Sequence, residues 1–257
     1  MLEWDCQGWS LSPFTIFQAM DYHEQDHLEA LAEFAAGAGH EINNPLAIIA
    51  GRTQLLLQEI EHPEHRRHLG IIHAQVKRAY DMTADIRFFS RPPQPEIIEF
   101  DLFEELNKLV AEQSPLMQEA NLAFHVEINP LNKPIIQSDP VLIHLAVGIL
   151  CNNAREAAQL TGGNVWLRLH CLENNHRENG WQIIVQDDGP GIPEDVVPLM
   201  FNPYYSGRQA GRGLGFGLSK AWRIMQLLGG SIRYEPKSTF LLTLPSSSIN
   251  KPVKFAQ

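Results

Sequence analysis

Apolar residues recur every three or four positions along the first third of the chain, which is the spacing of one face of an α-helix. A first stripe of this kind lies within residues 22–60, and a second begins at Leu69. Between them, His62, Pro63 and Glu64 interrupt the pattern. Two long amphipathic helices joined by a short turn are typical of an antiparallel hairpin. The first stripe comprises Leu28, Leu31, Ala35, Ala38, Ile42, Leu46, Ile49, Thr53, Leu56 and Ile60, and the second Leu69, Ile72, Val76, Ala79, Thr83 and Ile86.

A single hairpin buries two such stripes poorly. We therefore expect two copies of the chain to pair into a four-helix bundle, as a homodimer. The alternative is that the hairpin packs against the second domain of its own chain. With Ala35 and Ala38 at the core positions of the heptad, His40 falls on the outer face of the first helix.

The pattern changes after the proline-rich stretch Arg91–Pro95, which is typical of an extended linker. Alternating apolar residues then predict strands over 97–100, 122–128, 165–172, 181–186, 231–234 and 239–244. Helices are predicted over 102–119 and 139–160, and from the glycine-rich stretch at 211–218 to residue 228. This order favours a mostly antiparallel sheet with helices on one face, an α+β fold. The predicted divisions are 1–21 (unknown role), 22–91 (hairpin), 92–98 (linker), 99–248 (second domain) and 249–257 (tail).

Composition and charge exclude several classes of protein. The net charge of −10 argues against a nucleic-acid binder, which would present a basic face. Three scattered cysteines are too few for a disulfide framework, and this favours a reducing cytoplasm. The apolar run at 141–151 is too short to span a bilayer, and acidic Glu3 and Asp5 do not fit a signal peptide. We therefore expect a cytoplasmic protein without direct membrane insertion.

Three stretches of the second domain carry candidate chemistry. Asp187-Asp188-Gly189-Pro190-Gly191 follows a strand, and a buried carboxylate there could accept a hydrogen bond from an exocyclic amine. Gly211–Leu218 opens a helix, whose N-terminal amides can hold phosphates. Asn153 lies on a helix, and its amide oxygen suits Mg²⁺. Taken singly, each has an ordinary alternative: an acidic turn, a flexible glycine turn or a surface asparagine.

Two enzyme classes are not supported, because the motifs that they require are incomplete or absent. His40-Glu41 begins like the zinc-protease H-E-x-x-H, but the fifth position is Asn44. The H-R-D and D-F-G signatures of serine/threonine kinases are absent.

Taken together and in order, the motifs resemble those of sensor histidine kinases of two-component signalling, over residues 28–245. The stretch 40–46 is similar to the H-box, Asn153-Ala154 to the N-box and 187–191 to the G1 box. The stretch 201–206 resembles the F-box, and the glycines at 213, 215 and 217 the G2 box. The resemblance implies a dimerisation and phosphoacceptor hairpin, followed by an α/β-sandwich ATP-binding domain of the GHKL (Bergerat) type.

The resemblance also implies a role for each motif. His40 would take the γ-phosphoryl group of ATP through one ring nitrogen, and Glu41 would act as general base on the other. Asp187 would bind the adenine amine and Asn153 the Mg²⁺. Asn44 would orient water in a second activity, dephosphorylation of the receiver domain of a response regulator, which is the expected partner. Further nucleotide contacts would come from Gly189, Gly191, Phe201, Arg208, Gly213, Leu214, Gly215 and Gly217, with 193–212 as a mobile lid.

The sequence departs from the family at two points. The N-box usually carries another asparagine four residues before Asn153, where this chain has Ile149. The usual Thr-Thr-Lys after the F-box is Ser206-Gly207-Arg208, and Arg208 keeps the positive charge with a different geometry. Two alternatives stay open: an ATP-binding dimeric scaffold without kinase activity, which Ile149 suggests, and a GHKL-type ATPase.

Overall fold

The computed structural model describes residues 22–128, 134–172, 180–202, 205 and 215–245, with side chains from residue 41 onward except that of Ser90. The chain divides into two compact units, residues 1–93 and 94–257. The first unit contains helix α1 (Tyr22–Glu59) and helix α2 (Pro63–Ser90).

The turn of the helical hairpin is confined to residues 60–62, because α2 begins at Pro63. Proline suits the first position of a helix, where its missing N–H costs no hydrogen bond. The Arg66 guanidinium donates hydrogen bonds to the carbonyls of Leu57 and Ile60, and so satisfies backbone acceptors at the end of α1. The predicted hairpin is confirmed.

The two helices of the hairpin pack through small and polar residues. Thr53, Val76 and Thr83 are buried. The Thr83 hydroxyl donates a hydrogen bond of 2.6 Å to Oδ1 of Asn43, which links α2 to α1. By contrast, four apolar stripe residues are 42–46% exposed, namely Ile42, Ile49, Leu56 and Ile72. The hairpin therefore leaves much of its apolar stripe in contact with solvent, as its sequence predicts.

The second unit is an α/β sandwich. Strands β1 and β3 form an antiparallel pair, and a five-stranded sheet has the order β2-β4-β5-β7-β6. In that sheet β2 and β4 are parallel, and the other neighbours are antiparallel. The elements are β1 (Ile98–Asp101), α3 (Leu102–Glu119), β2 (Ala123–Glu127), β3 (Ile135–Ser138), α4 (Pro140–Ala158), β4 (Asn164–Leu172), β5 (Gly180–Asp187), a 3₁₀ helix (Val197–Leu199), α5 (Gly217–Leu227), β6 (Ser231–Glu235) and β7 (Thr239–Pro245).

The core lies between one face of this sheet and the helices. Along β4, buried Val165, Leu167 and Leu169 alternate with partly exposed residues, which is the pattern of a half-buried strand. Asp101 and Asp139 cap α3 and α4 by accepting hydrogen bonds from first-turn N–H groups, at 2.9 Å and 3.0 Å. The predicted cap at Asp139 is confirmed.

β3 is absent from the sequence prediction. Four residues between Pro134 and the Asp139 cap are too few to show a periodic pattern. β3 gains its hydrogen bonds by pairing with β1, in which Ile98 lies opposite Ser138 and Asp101 opposite Ile135, so the contact joins distant parts of the sequence.

Candidate active site

The acidic turn after β5 holds a buried carboxylate. Asp187 is only 6% exposed, and its Oδ1 accepts a hydrogen bond of 2.8 Å from the Gly189 N–H. Burial raises the pKa of Asp187 to about 6, although the hydrogen bonds from Gly189 and Ser238 oppose this shift. The Asp187 carboxylate is therefore a buried hydrogen-bond acceptor at the end of β5.

Gly189 brings this turn into close contact with α4. A Cβ at this position would lie 2.8 Å from both the Cβ and the carbonyl carbon of Ala157, and 2.6 Å from Oδ1 of Asp187. Only glycine fits there, so the sequence requirement is one of space.

Gly191 has φ of +76°, in the left-handed region that favours glycine. The next residue, Ile192, donates its N–H to the Tyr234 hydroxyl on β6 at 3.0 Å. The end of the acidic turn is therefore fixed to the far edge of the sheet. Tyr234 could not be predicted from the sequence, because no motif connects it to the turn 42 residues earlier.

The structure brings the predicted N-box and G2-box residues together. A Cβ built on Gly217 would lie 3.8 Å from both amide atoms of Asn153 and 3.4 Å from Cγ2 of Ile149. Gly215, with φ of +72°, leads the chain into α5. Phe216, the N-cap of α5, has no polar side-chain atom to cap the helix. The N-terminal turn of α5 and the Asn153 amide thus converge on one place, which suits an anion with an associated cation.

Phe201 follows the short 3₁₀ helix and is partly exposed, whereas its neighbour Met200 is 5% exposed. Arg208, Gly213 and Leu214 lie outside the described residues. In the first unit, Glu41 and Asn44 are exposed on α1, and His40 lies in the same helix with its side chain outside the described set.

Two family models match the chain in separate regions. Residues 30–95 match the His Kinase A (phospho-acceptor) domain, and residues 138–248 match the histidine kinase-, DNA gyrase B- and HSP90-like ATPase domain. The chain belongs to the sensor histidine kinases. The phosphoacceptor match decides this assignment, since the ATPase domain alone is shared with other classes.

Similar curated proteins are named as protein kinases. The chain is 28% identical to the signal transduction histidine-protein kinase AtoS of Escherichia coli (strain K12), over 86% of the chain and 36% of that protein. It is 31% identical to the sensor protein kinase PilS of Pseudomonas aeruginosa, over 80% of the chain and 38% of that protein. The chain thus spans well under half the length of these two relatives.

Solved histidine kinases share the fold. Full-length ShkA, solved with AMPPNP, matches with a TM-score of 0.67 at 19% identity, over 86% of the chain and 47% of ShkA. ThkA, solved with the response regulator TrrA, matches with a TM-score of 0.57 at 22% identity, over 88% of the chain and 65% of ThkA. Among the described residues, no helix is long and apolar enough to cross a membrane.

Proposed function

We propose that this histidine kinase core transfers the γ-phosphoryl group of ATP to His40 and then to an aspartate of a response-regulator receiver domain. In the first step the bond from phosphorus to the β,γ-bridging oxygen breaks and a bond from phosphorus to an imidazole nitrogen forms. ADP leaves, and Glu41 accepts the proton of the other ring nitrogen. We expect this core to work in the cytoplasm.

The observation that carries the proposal is the convergence of Asn153 with the start of α5, in the same domain as the buried carboxylate of Asp187. Asp187 accepts a hydrogen bond from the adenine amine, and the glycine turn at Gly189 and Gly191 lets the base approach closely. From the family resemblance we assign Gly213, Leu214, Gly215 and Gly217 to phosphate binding, Arg208 to the charge of the γ-phosphate and Phe201 to the lid.

Mg²⁺ fits this arrangement through Asn153. Its amide lies beside the first turn of α5, and a magnesium ion takes one or two protein oxygens while phosphates and waters complete its shell. When bound, the ion neutralises charge on the phosphates. Ile149 lies beside the same place, and its side chain has no oxygen. Asn153 is therefore the amide ligand from α4, without the second asparagine that is usual in the family.

We also expect the chain to act as a homodimer. The exposed residues Ile42, Ile49, Leu56 and Ile72 give each hairpin an apolar face, and a second copy of the hairpin would bury it in a four-helix bundle. The domain limits follow as hairpin 22–91, linker 92–98 and ATP-binding domain 99–248, flanked by the segments 1–21 and 249–257.

A separate groove on α1 supports the receiver-domain partner. Ile48 is 66% exposed and Leu55 52% exposed, and with Gly51 they line this groove. Ile48, Gly51 and Leu55 follow Asn44 at steps of four, three and four residues, so all of them lie on one side of α1. His40 lies one turn before Asn44 on the same side. A docked receiver would therefore reach His40, and also Asn44, which we assign to orienting water for dephosphorylation.

The test is incubation with radiolabelled ATP and Mg²⁺, comparing the wild type with His40→Gln and Asn153→Ala. Acid-labile, base-stable label on the wild type alone is the expected result. Label that persists in His40→Gln would place the acceptor elsewhere.

The same experiment separates the alternatives. ATP binding without label would favour the signalling scaffold, with Ile149→Asn as the variant to restore activity. Steady phosphate release without label would favour a GHKL-type ATPase.

A further inference from the structure

The acidic turn has two consecutive carboxylates that face different partners. Asp188, unlike Asp187, is exposed, and it binds the first residue of β4. Its Oδ1 accepts a hydrogen bond of 2.7 Å from the Asn164 N–H, and its Oδ2 accepts one of 2.8 Å from the Asn164 side-chain amide. The Asp188 N–H donates in turn to the Asn164 carbonyl at 3.2 Å. Three hydrogen bonds therefore join these two residues.

Gly163 makes room for this contact. A Cβ at residue 163 would lie 1.8 Å from Oδ1, 2.3 Å from Cγ and 2.4 Å from Oδ2 of Asp188. These three carboxylate atoms are the nearest to that position, and φ of Gly163 lies outside the left-handed region. The Asp188 carboxylate, and not the backbone conformation of Gly163, therefore excludes a side chain at this position.

His125 orients the asparagine. Its Nε2 lies 2.9 Å from Oδ1 of Asn164, and its ring stacks on Trp166 at a centroid distance of 5.3 Å. Because Oδ1 can only accept, this bond directs the NH₂ group of Asn164 toward Asp188.

We infer that Asp188, clamped by Gly163 and Asn164, is a positioning residue that fixes the turn carrying Asp187 for recognition of the adenine base. Gly189 anchors the turn against Ala157 of α4, and the Asp188 clamp anchors it to β4. Without the clamp the turn loses its attachment to β4 and keeps those to Ala157 of α4 and to Tyr234 of β6, so the direction of Asp187 is less firmly fixed. The inference rests on the proposed contact between Asp187 and adenine.

A double-mutant cycle on the chain with both of its units tests the clamp. Gly163→Ala displaces the Asp188 carboxylate, and Asp188→Ala removes it. We expect each to raise the Kd for ATP and the KM of autophosphorylation about fivefold with kcat unchanged, as coupling through a local contact would do. The double variant should match Asp188→Ala alone, since the clash disappears with the carboxylate.

Three controls accompany the cycle. Gly70→Ala, at a helical site with no atom within 4 Å of the added Cβ, should leave Kd and KM unchanged. Asp188→Asn keeps the shape and the acceptor for the Asn164 N–H, so it should restore most of the affinity. Asp187→Asn tests the underlying site, and it should weaken ATP binding more than any clamp variant.

The outcomes separate the two claims. If Asp187→Asn weakens binding while Gly163→Ala and Asp188→Ala do not, the clamp is refuted and the adenine site stands. If Asp187→Asn has no effect, the proposed adenine contact is refuted. Multiplying losses in the double variant, or an equal fall in kcat, would show that Gly163 and Asp188 act by separate routes or on the fold in general.

Discussion

The two units of this chain use apolar residues in opposite ways. In the described part of the helical hairpin, the buried side chains are those of Thr53, Val76 and Thr83, and large apolar residues such as Ile49 remain exposed. In the ATP-binding unit, Leu102, Leu150 and Ile183 are each 0% exposed. The hairpin thus buries little apolar surface by its own packing, whereas the second unit has a core of its own.

The difference in burial between the two units can be expressed as a free energy. Burying an exposed isoleucine or leucine contributes about 1.5–3 kcal/mol, and each hairpin offers several such residues to a second copy. Association should therefore stabilise the hairpin far more than the ATP-binding unit.

The largest effect is expected from Ile49→Asp. The change places a carboxylate in the middle of the proposed dimer face, where burial without a partner costs several kcal/mol, so the dimer Kd should rise roughly a hundredfold or more. Analytical ultracentrifugation across a concentration series measures this. The matched control is Val126→Asp, at a position of the ATP-binding unit that is 38% exposed, and it should leave the mass unchanged. A dimer of unaltered affinity in Ile49→Asp would show that the hairpin stripe is covered in another way.

Leu150→Ala should act on the other unit alone. Leu150 is 0% exposed on α4, and truncation of a buried leucine lowers the free energy of unfolding by about 2–5 kcal/mol. Urea unfolding followed by tryptophan fluorescence reports this loss. Leu160→Ala, at a residue that is 67% exposed, is the control and should change little. Loss of the dimer in Leu150→Ala would mean that the two units do not fold independently.

Periodic patterns made most of the fold predictable. Repeats of three and four residues predicted both hairpin helices, and alternation predicted the strands on either side of residues 173–179. The parallel pairing of β2 with β4 was not predictable, because both strands follow helices and neither sequence encodes direction. The same limit applies to the site. Asp187 was recognisable from its motif, but the Asn164 contact with Asp188 joins residues 24 positions apart that no motif connects.

A smaller change in the free energy of unfolding is expected from the titration of Asp187 with pH. Its pKa in the folded chain, about 6, exceeds the ordinary aspartate value of 3.8 because the carboxyl is buried. The folded state therefore binds more protons than the unfolded state between about pH 4 and pH 6, so stability falls as the pH rises through this window, by at most about 3 kcal/mol. Asp187→Asn should reduce this dependence of stability on pH. Urea unfolding of the whole chain, followed for its ATP-binding unit, measures the change. An unchanged slope would show that another group dominates.

The smallest effect is expected at His144, which bridges two helices of the ATP-binding unit. Its Nδ1 lies 2.8 Å from Oε1 of Glu105 and its Nε2 lies 2.9 Å from Oε2 of Glu112, so both ring nitrogens donate only when the imidazole is protonated. Partial burial acts to lower the pKa of His144, but the bonds to Glu112 and Glu105 outweigh it and the pKa is raised. Lys108 binds Glu105 at 2.8 Å and so brings a positive charge to the same cluster.

The sign of the His144 effect follows from this raised pKa. The bridge should contribute fully below the unfolded pKa of 6.5 and be lost as the pH rises through the folded pKa, with an effect of about 1 kcal/mol or less because the cluster is partly exposed. The free energy of unfolding of the wild type, compared with His144→Gln at pH 5.5 and pH 8.5, measures it, and Glu112→Gln should remove part of the same difference. The dimer mass should stay constant at both pH values, since the bridge lies wholly within the unit that has its own core. A His144→Gln difference that is equal at both pH values would mean that packing, and not the charge of the imidazolium, stabilises the contact between α3 and α4.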